Sequence, residues 1–465
     1  MGKAGKALRM VLETENISQS SLASVLGVDR PVVFRWFHEK TDPTAETVAN
    51  IVEALRSLKP NAAAEFIHLY LGSSSPSLLD NVSGAHCQKL PESEQLNISA
   101  LSQLFSNTTN SYKYLFFLSL LDILNRRQFE VLSPISFQEI IVEMLSNAWY
   151  PHTFFKLSFG KQDKISQKLD SLSISVGEPV LQFKDTDKKL LRKTIAYQDL
   201  RDAVSHLRRY VPFRLIIPFL ETELEGISRG KGNEVDAALP AIANCCFEKK
   251  KPLYRFDSNK QKECRSIVIH PDWAVYLEHH YVIVRSWLSW EWMYYMQKRN
   301  PSTPAISSKL FPPIKRDSLG KQKDYWKAVL KSRKIRCIYS SQLIDNENLS
   351  LDHYLPWSFV AHDHLWNLIP TLREVNSSKN NKIPSKSYFK SFVELQHIGL
   401  TTTHKMLTEK QWIQKVEPYI VDMGINEKKD LLDVGKLHNA YDKLISPLSS
   451  IASSQGFSTG WKYSE

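Results

Sequence analysis

The stretch "LDHYLPWSFVAHDHLWNLIPTLREVNSSKNNKIPS", Leu351 to Ser385, gathers three histidines and four asparagines into one window. Written as spacing it is D-H-x2-P-x-S-x8-N-x8-N-x2-K. Asp352 and His353 are adjacent, and Asn367, Asn376 and Lys379 complete the series. Upstream, IRCIYS and LSLDHYL are rich in β-branched and aromatic residues, which predicts short strands. TLREVNSSKNNK predicts a helix, with Thr371 as N-cap, Glu374 closing a capping box and Asn380 and Asn381 ending it. The predicted element is strand, loop, helix. A plain polar loop would make both the spacing and the capped helix a coincidence.

Consecutive strand residues point to opposite faces, so Asp352 and His353 take different roles. Asn376 and Lys379 are one turn apart and share a helix face. If that helix crosses the strand, Asp352 and Asn376 reach one cation. They offer oxygen ligands, which suits Mg²⁺. His353 is then available as a general base near neutral pH, taking a proton from water that attacks phosphorus. A metal there would stabilise charge on the phosphate and on the leaving 3′ oxygen. Asn367 supplies an amide able to orient the histidine.

This constellation resembles the HNH endonucleases of the ββα-metal fold. It is most similar to the subgroup containing the HNH domain of RNA-guided CRISPR nucleases, over roughly residues 333–387. The resemblance implies that Asp352 and Asn376 are metal ligands for Mg²⁺ or another divalent such as Mn²⁺. It makes His353 the general base, assigns Asn367 to orienting the loop or the base, and brings Lys379 to a DNA phosphate. Relatives with two C-x2-C zinc pairs differ from this chain, which keeps only Cys337 nearby. His362 and His364 are expected to be exposed loop residues.

Residues 1–72 predict five helices. Ser18 is placed to cap the second, Gly27 to turn, Asp29 to cap the third with Pro31 early in it, and Thr44 to cap the fourth. Val33 and Trp36 share a face, and Val48, Ile51, Val52 and Leu55 recur at i, i+3, i+4 and i+7. ISQSSLASVLGVDRPVVFRWFHEKTDPTAETVANIVEAL resembles the XRE/Cro-type helix-turn-helix family through Gln19, Ala23, Gly27, Val33, Trp36 and Pro43. By that resemblance Arg30, Pro31, Val32 and Arg35 face the major groove and Gln19 approaches a phosphate. The segment carries eight basic and eight acidic residues, so long-range attraction to phosphate is weak there.

The formal net charge is +11. Residues 301–390 hold fifteen Lys and Arg against seven Asp and Glu, so the excess lies around the opening motif and favours a phosphate backbone. The five cysteines form no C-x2-C pair, which fits a reducing compartment. No stretch of about 18 uncharged apolar residues exists, and no secretory segment follows the N-terminus, so a cytoplasmic protein without a membrane partner is expected.

The expected architecture is mainly α and multidomain. It has a five-helix helix-turn-helix domain (1–72), a linker (73–110), a helical middle domain (111–255), a ββα-metal nuclease domain with a basic, aromatic lead-in (256–410) and a C-terminal helical extension (411–465). The aromatic helix near Trp287, Trp290, Trp292, Tyr294 and Tyr295 is expected in the core. The expected activity is metal-dependent hydrolysis of DNA phosphodiesters, in bacterial restriction or anti-phage defence, with a homodimer by analogy. Two rivals remain. One is a transcriptional regulator whose nuclease-like domain is a passive clamp; the other is an interaction protein whose helix-turn-helix recruits a protein partner.

Overall fold

The computed structural model describes residues 3–15, 17–38, 40–43, 45–71, 90–172, 185–225, 227, 232–312 and 317–464. It divides into two compact units, residues 1–88 and 89–465, and is mainly helical in both.

The first unit contains α1 (Lys3–Thr14), α2 (Gln19–Leu26), α3 (Arg30–Phe37), α4 (Ala45–Leu58) and α5 (Pro60–Leu71). Leu8, Val11, Leu22, Val33, Trp36, Ile51, Leu55 and Phe66 form its core. The Ser18 hydroxyl caps α2 by accepting from Ser21 N at 3.0 Å. Gly27 ends α2 at φ 67°, a left-handed conformation that glycine adopts without a Cβ penalty. Asp29 occupies the N-cap position of α3, but its side chain makes no capping hydrogen bond. Thr44 lies outside the described residues.

The second unit has two apolar cores. The first runs from Leu90 to Ile306 and surrounds the helices Tyr112–Arg126, Phe137–Trp149 and Tyr281–Arg299. A three-stranded antiparallel sheet closes one side, in the order β1 (Ile135–Ser136), β3 (Ser266–Ile269), β2 (Tyr254–Phe256). Buried acids tie its helices together. Asp122 accepts from Lys188 and Arg285, each at 2.7 Å, and Glu143 from Arg126 at 3.0 Å.

This core corrects two expected boundaries. Residues 90–110 are not linker: Leu101, Leu104 and Phe105 are buried, and Phe105 packs 5.2 Å from the Trp287 ring. Their few apolar residues are spaced among Ser and Asn, which hid them in a composition count. The expected break at 255/256 falls inside β2, whose partner is β3, so the sheet joins what the boundary separated. The aromatic helix packs inward through Trp287, Trp292 and Tyr295, while Trp290 and Tyr294 remain 46% and 54% exposed.

The second core holds the opening motif. The hairpin of β6 (Leu349–His353) and β7 (Leu368–Leu372) pairs antiparallel, with Leu351 opposite Pro370 and His353 opposite Leu368. A smaller pair, β4 (Ile335–Arg336) and β5 (Leu343–Ile344), lies upstream. The helices Gly320–Ser332, Phe389–Met406, Glu409–Met423 and Val434–Ser454 cover the hairpin and bury Trp326, Phe392, Trp412, Tyr419 and Tyr441. Residues 411–465 therefore complete this second core rather than extend from it.

The expected helix start at Thr371 is also corrected. LIPTL is a fully buried strand, and Thr371 meets the Cys337 thiol at 3.2 Å instead of capping. The helix runs Arg373–Lys379, with Leu372 as an N-cap lacking any side-chain bond. Pairing with β6 overrides the local capping pattern, because β7 buries every side chain. Asn380 ends the helix at φ 48°, as its position suggested.

Trp357 joins the two cores. It lies just beyond His353 in the short helix Trp357–Val360, yet it packs with the first core, 6.1 Å from the Phe155 ring and 6.5 Å from Phe154. Those two phenylalanines sit at the end of a π-helical turn, Tyr150–Phe154, closed by Phe155 N donating to Tyr150 O at 2.9 Å.

Gly399 lies where two covering helices approach closely. A Cβ there would stand 2.9 Å from Tyr325 Oη and 3.0 Å from the Trp326 ring. Gly399→Ala is expected to overpack this contact and cost about 1–3 kcal/mol, read as a lower urea midpoint at unchanged slope.

Candidate active site

β6 delivers Asp352 and His353 to opposite faces, as alternation requires. Asp352 is 2% exposed and points inward. Its Oδ2 accepts from Tyr339 Oη at 2.8 Å, and its Oδ1 from Lys379 Nζ at 2.9 Å. Lys379 is 0% exposed and also donates to the His353 carbonyl at 2.6 Å. Burial pushes the Lys379 ammonium below its ordinary range, and the Asp352 charge opposes that shift. Burial and then Asp352 push the Tyr339 phenol far up.

Lys379 therefore does not lie where a DNA phosphate could reach it. The phosphate contact is what the resemblance implies for Lys379, but the helix face it shares with Asn376 lies against β6. Asn376 is half-buried on the same face. Its Nδ2 donates to Ser350 Oγ and to the Leu351 carbonyl, each at 3.0 Å.

Asn367 is fully buried and orients the loop. Its Oδ1 accepts from Leu355 N at 2.8 Å, and its Nδ2 donates to Leu355 O at 2.9 Å. Its own carbonyl accepts from Tyr354 N at 2.8 Å. The two residues after His353 are thereby held by one side chain and its backbone.

His353 meets a partner that the sequence did not reveal. Its Nε2 lies 2.7 Å from Asp363 Oδ1, with both side chains largely buried. The Asp363 carbonyl in turn accepts from Gln322 Nε2 at 3.1 Å. His364 and His362 are not exposed loop residues either. His364 Nδ1 lies 2.6 Å from Asp422 Oδ2, which also accepts from Trp366 Nε1 at 2.5 Å. The His362 ring stacks on His364 at 4.3 Å and packs 5.1 Å from Trp366. Burial and then the His364 charge push His362 down to about 4. A carboxylate ten or fifty-eight positions from its histidine carries no local signal, so only a tertiary contact identifies Asp363 and Asp422.

A divalent cation does not fit the donors as arranged. Both Asp352 oxygens face hydrogen-bond donors, one of them an ammonium, and the Asn376 nitrogen rather than its oxygen faces the strand. Among the described residues no group of three or more His, Cys, Asp or Glu side chains could hold a metal ion.

In the first unit, Arg30, Pro31 and Arg35 are exposed on α3, and Gln19 is half-buried as the first residue of α2. Val32 is half-buried and packs against the core, so its contact with solvent is limited.

Two measurements test the site's energetics. Lys379→Met should cost about 3–5 kcal/mol, because it leaves Asp352 buried without its cation. Adding Asp352→Leu should recover most of that loss; no recovery would mean the pair is not the source. His362 has a folded-state pKa depressed from 6.5, so the unfolded chain takes up a proton first as pH falls. Stability conferred by neutral His362 is present above pH 6.5 and lost toward pH 4, by up to about 3 kcal/mol. His362→Gln should flatten that part of the stability profile, and an unchanged slope would show that His362 is not the group responsible.

Residues 336–385 match the family model described as HNH endonuclease, and residues 8–60 match the model described as helix-turn-helix. No curated protein and no solved structure matches the chain. No helix of the described residues is long and apolar enough to cross a membrane. The chain thus joins a helix-turn-helix segment of XRE type to an HNH endonuclease segment that contains the Asp352–His353 hairpin.

Proposed function

We propose that the chain is a DNA endonuclease that hydrolyses phosphodiester bonds at His353. The observation that carries this is the His353–Asp363 contact at 2.7 Å, on a strand-loop scaffold locked by Asn367. A carboxylate on Nε2 favours the tautomer protonated there and makes Nδ1 the basic nitrogen. His353 then takes the proton from water as the oxygen attacks phosphorus, and the 3′ oxygen leaves. Asp363 stabilises the imidazolium that forms, and Asn367 keeps the loop from swinging the ring away.

Mg²⁺ or Mn²⁺ is the proposed cofactor on the strength of the family match; Asp352 and Asn376, the ligands that the resemblance implies, would hold it only after Lys379 and Tyr339 release the Asp352 carboxylate and the Asn376 amide turns from the strand. DNA is the proposed substrate. Arg30, Val32, Arg35 and Gln19 of the helix-turn-helix are the proposed DNA contacts there, and a homodimer is the proposed assembly. Bacterial restriction or anti-phage defence, in the cytoplasm, is the proposed setting.

A second function is favoured by one observation. Asp352 is sealed by Lys379 and Tyr339, which suits a regulator that grips DNA through an HNH-like domain without cutting it.

Plasmid cleavage separates the two. With divalent metal present, wild type should nick or cut, and EDTA should stop it. His353→Ala should lower the rate at least roughly 100-fold, and Asp363→Asn and Asn376→Ala should lower it less. Wild type inert under every divalent metal and DNA form, or variants as active as wild type, would sink the catalytic assignment. Sequence-specific binding that survives His353→Ala without cleavage would establish the regulator.

A further inference from the structure

The first core of the second unit carries a cationic track that the nuclease chemistry does not use. Arg208 lies just past the helix Arg201–Leu207, and Arg265 immediately precedes β3. The guanidinium of each donates to the same acceptor, the Cys264 carbonyl, at 2.8 Å and 3.1 Å. Arg265 Nη1 also donates to Lys262 O at 2.8 Å. Two like charges thus converge on one neutral oxygen. Burial and then Arg265 hold Arg208 below its ordinary range.

Nearby carboxylates do not compensate them. Asp236 is taken by Arg214 through a fork with bonds of 2.8 and 2.6 Å. Asp199 pairs with Arg201 at 2.6 Å, and Glu263 pairs with Lys260 at 3.0 Å. Asp257 accepts the Arg265 backbone N–H and the Ser266 hydroxyl, each at 2.9 Å. Among the described residues no ion pair includes Arg208, Arg209, Lys262 or Arg265. Such a cluster repels itself until an anion arrives.

The shape is elongated. A depression of about 560 Å³ between Gln138 and Arg265 shares Ser205 and Arg208 with a second of about 410 Å³ that ends at Tyr210. A third, of about 340 Å³, begins beyond Tyr210 and reaches Lys113. Arg209 and Arg214 lie over the Tyr210 ring, at 4.9 and 4.5 Å from its centroid. A single phosphate would occupy only a small part of one depression. A run of three, with cations along it and Ser and Gln side chains between, suits a polymer of phosphates.

We propose that this track, through Arg208, Arg209, Lys262 and Arg265, binds a nucleic-acid strand by its phosphate backbone, independently of base sequence. The proposal stands apart from His353 chemistry. It gives the helical region a task beyond supporting the hairpin.

The test uses the full chain in EDTA, with fluorescence anisotropy of labelled 30-mers: duplex DNA, single-stranded DNA and RNA. Arg208→Gln/Arg265→Gln should raise Kd roughly tenfold at moderate salt. It should also flatten the dependence of log K on log salt by roughly 1.8 for duplex or 1.4 for single strands, as expected for two lost phosphate contacts. Arg209→Gln/Lys262→Gln alters only exposed side chains and should flatten it similarly, which keeps the proposal testable if the first pair misfolds. Whichever probe loses most identifies the strand. Unchanged affinity and slope for the folded variants with all three probes would overturn the proposal. So would preferential binding of polyglutamate, which would make the partner an acidic protein. Neither result depends on whether the enzyme cleaves.

Discussion

The buried pair of Asp352 and Lys379 holds the β6–β7 hairpin to its helix. Lys379 reaches from the last turn of Arg373–Lys379 to two consecutive residues of β6, the Asp352 carboxylate and the His353 carbonyl. Asn376, one turn earlier, grips the two residues before them. Four successive strand positions are therefore read by one helix face. A slip of one residue would turn Asp352 outward and strand the ammonium in an apolar core. Desolvating two charges contributes little net stability, since a well-packed apolar pair of similar volume often does as well. What the pair supplies is register, and the position of His353 follows from that register.

How much was legible depended on whether a signal was local. The D-H pair, its strand and the Asn367 that locks the loop could be read from spacing and residue type. So could the helix-turn-helix core, because Val33, Trp36, Ile51 and Leu55 recur at helical intervals. β7 was missed because Thr371 and Glu374 imitate a capping box, and Pro370 speaks against a strand. It is tolerated opposite Leu351 because β7 pairs only with β6. Residues 90–110 were misread because composition averages over the few side chains that pack. Lys379 departs from what the resemblance implies for a different reason: spacing shows that two residues share a face, not which way the face looks.

The histidines illustrate the same limit. His353, His362 and His364 lie within twelve positions, yet each has a distinct environment: Asp363 faces His353, the His364 and Trp366 rings flank His362, and Asp422 of a distant helix holds His364. Asp422, on the helix Glu409–Met423, fixes His364 and Trp366 together. The C-terminal helices thus reach into the loop that holds His353, and the expected extension is part of the site's frame.

Trp357 has a further consequence. The loop after His353 is pinned in one core, while its indole is seated in the other, against the π turn at Tyr150–Phe154. A π turn is an α-helix carrying one additional residue. Returning it to α register would rotate Phe154 and Phe155 by about 100° around the helix axis and take both rings off the indole. The helical half of the unit thus acts as a gauge for the hairpin: one surplus residue in its winding sets the seat of the loop that aims the histidine.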